Sequence, residues 1–182
     1  MEHQHSSYQH DQDQCELTMT SKFISKWVVR FLATPEANLF LFAFLLNFVY
    51  EVWQSPYYEF YEKPFLIDKV KDLTHCTFGD SVITLISSWI MSALARSRYW
   101  ILNPIRKLTL LFTSMGLVIT LVTETYRVNI TRAYGVPVLA VPGLGISSLA
   151  VLLWVILPPL VLYLARRHTL GYQNLIVDKL LI

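Results

Sequence analysis

A chain of 182 residues that is 54% hydrophobic and 15% charged, with a mean hydropathy of +0.42, is too apolar for a soluble globule, in which about 25% of residues are charged. The net charge of +2 is small and scattered, so composition argues against nucleic acid as a partner. Charges fall in short blocks between long apolar runs. That pattern predicts one all-α domain, an integral membrane four-helix bundle.

In chain order, residues 1–20 are polar and read as a disordered tail. The irregular spacing of His3, His5, His10 and Cys15 favours a solvated segment over a metal site. Between 21 and 33, Lys22, Lys26 and Arg30 recur every four residues beside Phe23, Trp27 and Phe31. This predicts an amphipathic helix lying on an anionic leaflet.

Four spans follow, at about 34–54, 77–96, 104–126 and 146–165, with a cytoplasmic tail over 169–182. The first opens on Thr34 as N-cap, Pro35 at the first helical position and Glu36 at the positive end of the helix dipole. Asn103-Pro104 repeats the cap-plus-proline signal before the third. Pro158-Pro159 should kink the fourth, because proline lacks an N–H and crowds the preceding turn.

Lysine and arginine bias sets the expected orientation. Lys22, Lys26 and Arg30 precede the first span; Arg96, Arg98, Arg106 and Lys107 join the second and third; Arg166 and Arg167 follow the fourth. By contrast, the 51–80 stretch holds Glu51, Glu59, Glu62, Asp68, Asp72 and Asp80 against Lys63, Lys69 and Lys71. Both termini are therefore expected in the cytoplasm of a cell whose plasma (inner) membrane holds the chain.

Within the spans, polar residues align at helical spacing. Asn47, Glu51 and Gln54 share a face of the first; Cys76, Asp80, Thr84, Ser88 and Ser92 share one of the second. Thr113, Gly116, Thr120, Glu124 and Arg127 do so on the third. Lipid offers these groups no hydrogen bond, so the stripes should turn inward. Hydroxyls and glycines in the inner halves read as packing surface. The ionisable residues all fall at the outer ends, where packing does not need them, and mark a functional site.

His75, Asp80 and Glu124 are the candidate catalytic residues, and Glu51, Gln54, Cys76, Arg127 and Trp154 candidate ligand-binding residues. Thr77-x-x-Asp80 also has capping-box spacing, which would place Asp80 at a helix start and Cys76 beside it. Glu51, two residues before Trp53 and near Tyr57 and Tyr58, is expected to be the most exposed of the set, within an interfacial aromatic belt. Glu124 and Arg127, three apart, would also suit a simple ion pair. The aromatic stretch 56–74 fits a lid on the membrane surface. The turn-rich run from Tyr134 through Gly145 fits a segment re-entering the bundle mouth.

The motifs Glu51-x-Trp53-Gln54-x-Pro56-x-Tyr58, His75-Cys76-Thr77-Phe78-Gly79-Asp80, Glu124, Val141-Pro142-Gly143-Leu144-Gly145 and Trp154 with Leu157-Pro158-Pro159 together cover about residues 38–168. In them the chain resembles a group of small, uncharacterised four-span bacterial membrane proteins. That pattern has glutamine before the fourth-span tryptophan, where this chain has Leu153. A looser similarity is to four-span sterol-isomerase-like proteins, whose membrane-embedded sites combine histidine, acids and a tryptophan; here these would be His75, Asp80, Glu124 and Trp154.

Three functions stay open at this point. One is acid/base chemistry on, or binding of, an apolar membrane-dissolved lipid or isoprenoid, with Arg127 holding an anionic group. Another is a subunit or assembly factor that meets a membrane-protein partner. The last is metal handling, with His75, Cys76 and Asp80 as ligands. The sequence leaves any cofactor unknown.

Overall fold

In a computed structural model, residues 28–57, 65–130 and 137–180 are described, the side chains of 175–180 excepted. The 1–20 tail lies outside them, as does most of the expected interfacial helix; its remainder, 28–32, is helical. Four long helices follow: α1 Pro35–Gln54, α2 Leu66–Ala95, α3 Arg106–Asn129 and α4 Ser148–Leu180. Each is long and apolar enough to cross a membrane. No strand occurs among the described residues; the only pairing of that kind is a bridge between Ala140 and Ser147.

The helices pack in a ring, each against its two chain neighbours and α1 against α4. They alternate in direction, so the ends of α1 and α3 and the starts of α2 and α4 share one end of the bundle. That end carries Glu51, Asp80 and Glu124 and is called the acidic end below; the opposite, basic end carries Arg96, Arg98 and Arg166.

α1 matches its expected extent. Thr34 is its N-cap and Pro35 its first residue, but the Thr34 hydroxyl donates to the Phe31 carbonyl (2.7 Å) rather than capping α1. Glu36 does more than face the helix dipole: its carboxylate takes two bonds from the Arg98 guanidinium, at 2.9 and 3.1 Å, joining α1 to the α2–α3 connection. α2 starts at Leu66, well before Thr77. Its length, about 45 Å at 1.5 Å per residue, exceeds the hydrocarbon thickness of about 30 Å. The early start has a simple cause: Asp68, Lys69, Lys71 and Asp72 are good or tolerated helix residues once they stand in water, and no proline intervenes. The helix closes on Arg96 in the left-handed region (φ 51°), with Ser97 N–H bonded to the Ser92 carbonyl (3.0 Å). Asn103-Pro104 precedes α3, though Ile105 occupies its N-cap. α4 remains helical through Pro158 and Pro159 and on to residue 180.

Leu39, Met91, Phe112, Val161 and Ala165 form the apolar core at the basic end, closed by Trp100, whose indole N–H bonds the Ser88 carbonyl (3.3 Å). The inner-half hydroxyls behave as packing groups: Thr84 and Ser92 return their protons to the carbonyls of Asp80 and Ser88. A polar clasp at this end escaped the sequence reading. Asn38, fully buried, donates to the Leu32 carbonyl (2.6 Å) and the Thr169 hydroxyl (2.8 Å), while its carbonyl lies 2.6 Å from His168 Nδ1. It fixes the start of α1 to α4. Asn38→Ala would remove its bonds to the Leu32 carbonyl, the Thr169 hydroxyl and His168, at about 1–3 kcal/mol. The expected outcome is a lower melting temperature in detergent or nanodiscs, read by circular dichroism.

Candidate functional site

The acidic half of the bundle encloses a cavity of about 290 Å³. All eight residues singled out from the sequence line it: Glu51, Gln54, His75, Cys76, Asp80, Glu124, Arg127 and Trp154. Each helix contributes. The last turn of α1 supplies Glu51 and Gln54; the third and fourth turns of α2 supply His75, Cys76 and Asp80; the end of α3 supplies Glu124 and Arg127; α4 supplies Trp154. Ile83, Ala150 and Leu153 add apolar wall. Gly79, Thr120 and Thr123 also line it, Gly79 and Thr123 lying beside the polar stripes of their helices rather than on them.

Several expectations for individual residues need correction. Glu51 is not the most exposed member but among the most buried, at 6% exposure, with Gln54 at 3%. Its neighbours explain this: Trp53 and Tyr57 point outward with Tyr50 in a ladder of ring contacts (5.6 and 6.2 Å), so one turn of helix divides into a belt face and an interior face. Asp80 is no cap, because α2 is already several turns long there. The same fact removes the helix terminus from beside Cys76. His75 is exposed on the rim.

The charged groups sort into two sets. Arg127 forms an ion pair with Glu124 (3.7 Å) and lies 3.9 Å from the Cys76 sulfur. Glu51 is hydrogen-bonded by Gln54 and is in side-chain hydrogen-bond contact with Asp80. Two carboxyls held side by side can divide acid and base roles between them. Two buried polar atoms of the wall, Gln54 Oε1 and Thr120 Oγ1, have no hydrogen-bond partner among the described residues.

Among the described residues, no three His, Cys, Asp or Glu side chains are placed to hold a metal ion, and His75, Cys76 and Asp80 do not form such a set.

Of the expected re-entering run, 134–136 lies outside the described residues, and 137–145 does not line the cavity. That stretch is a tight hairpin with Gly143 and Gly145 at positive φ (82° and 69°), closed by bonds from Val141 N–H to Ile146 and from Ser148 N–H to Leu139. Val138 N–H reaches the Tyr57 carbonyl (3.3 Å), and Asn129 the Leu144 carbonyl (3.4 Å), so the hairpin ties the ends of α1 and α3 together. Of the expected lid, 65–74 is helical from Leu66, and 58–64 lies outside the described residues. Comparisons with protein families, with curated proteins and with solved structures give no match to the chain.

One wall of the cavity depends on an absent side chain. Gly116 of α3 packs under the six-membered ring of Trp154, and a Cβ there would fall inside the ring's van der Waals envelope. Gly116→Ala should therefore displace the indole and lower stability by about 1–3 kcal/mol. A shifted tryptophan emission maximum with a reduced melting temperature is the expected readout.

Proposed function

We propose that the chain is a multi-pass protein of a bacterial plasma (inner) membrane whose extracytoplasmic cavity binds an apolar, membrane-dissolved lipid or isoprenoid and performs acid/base chemistry on it. The observation that carries this reading is the convergence of three carboxyls, a guanidinium and an indole from four helices on one cavity. Packing alone gives no reason for three acids at that depth. Asp80, with Glu51 beside it, is the proton-holding group; Glu124 is the second carboxyl, oriented by Arg127; His75 on the rim passes protons to water. A subunit or assembly role requires no such cavity. The resemblance to four-span bacterial membrane proteins points to the same compartment, and nucleic acid has no part in it.

At about 290 Å³ the cavity lies at the small end of ligand pockets, which run about 300–1,000 Å³. It accommodates a polar head and a short stretch of chain, the remainder lying along the lipid-facing surface.

The reading is tested by native mass spectrometry of protein taken from its own membranes in a mild detergent. One lipid-soluble molecule per chain is expected, with occupancy reduced about tenfold or more in Asp80→Asn and Glu124→Gln proteins that keep the wild-type melting temperature. Unchanged occupancy in both variants, or no bound molecule in the wild type, would sink it. The orientation has its own check. A membrane-impermeant maleimide applied to intact cells should label a cysteine placed at Val138 and spare one placed at Ser97.

A further inference from the structure

Resting on the reading of the cavity as a lipid site, we infer that its occupant enters with a hydrogen-bond-donating head that carries no negative charge, a hydroxyl or an ammonium. The argument is one of complementarity. Gln54 and Thr120 line the cavity with side chains only 3% and 6% exposed, and neither Gln54 Oε1 nor Thr120 Oγ1 has a hydrogen-bond partner among the described residues. A buried amide oxygen without a donor is costly, and a ligand that brings the donor removes that cost, while the Thr120 hydroxyl can accept from the same group or donate to its oxygen. With the Gln54 amide bonded to Glu51, its carbonyl oxygen is the acceptor left unpaired.

Charge points the same way. The lining holds Glu51, Asp80 and Glu124 against one guanidinium, and that guanidinium is paired with Glu124 at 3.7 Å. Counted as side chains, three carboxyls against one guanidinium make the wall acidic, with His75 on its exposed rim. A phosphate or carboxylate head would meet like charge there, in a low-dielectric setting that strengthens the repulsion. This reverses the expectation that Arg127 receives an anion.

The test uses full-length protein in phosphatidylcholine nanodiscs with three probes that share one chain: farnesol, farnesylamine and farnesyl monophosphate. Native mass spectrometry at equal concentrations reads the preference. Farnesol or farnesylamine should be retained at least about tenfold over the phosphate, and the stronger of the two tells hydroxyl from ammonium. Thr120→Val, which keeps the side-chain shape, and Gln54→Met should each weaken the preferred probe by about tenfold. Equal or tighter binding of the phosphate overturns the inference while leaving a lipid site in place. Wild-type affinity for the preferred probe in both variants overturns it too. Retention of none of the three overturns both the inference and the function on which it rests.

Discussion

A hydrocarbon solvent gives a hydroxyl, an amide or a carboxyl no partner, so every such group on a membrane helix must find one inside the bundle. Much of this architecture follows from that demand. At the basic end much of it is met: Asn38 engages Leu32, Thr169 and His168, and the Arg166 guanidinium reaches the Leu102 carbonyl at 2.7 Å, while the Ser87 and Thr113 hydroxyls stay unpaired among the described residues. At the acidic end the groups turn inward too, yet they face a cavity, and part of their hydrogen-bonding capacity is left over. The two ends thus apply one rule with different results: one closes into an apolar core, the other surrounds a cavity.

The partition between apolar core and cavity reflects the order of residues along each helix. On α1, Leu39 and Ala43 give way to Asn47, Glu51 and Gln54; on α2 the order reverses, from Asp80 down to Met91. Because neighbouring helices run in opposite directions, these gradients superimpose in space. Gly116 then lets α3 approach closely enough for Trp154 to lie across the bundle and mark the boundary.

The location of the cavity was legible because helical period fixes the face and span direction fixes the depth. Those two coordinates place Asp80 beside Glu51 without any knowledge of loops. Burial of Glu51 was not legible: Trp53 and Tyr57 look like its companions in sequence, but 100° per residue sends them to the lipid side. The start of α2 was hidden because charges at 68–72 read as loop, whereas in water they cost a helix little. The Asn38 clasp was invisible for another reason. Its partner Thr169 is distant in sequence and lies past the last residue of the expected fourth span, where only a tail was foreseen.

Pro158 and Pro159 bear on the mechanics of this arrangement. Neither has an N–H to give, so the carbonyls of Trp154 and Val155 lack their usual rungs in the α4 ladder. The weakest point in bending is therefore immediately below the indole that walls the cavity. Below it, α4 is anchored through Arg166 and Thr169; above it, the Leu149 carbonyl is held by the Tyr50 hydroxyl at 3.0 Å. A rod pinned at both ends and softened in the middle yields sideways. The two missing rungs thus fall one turn from the cavity wall, between the two anchored ends of α4.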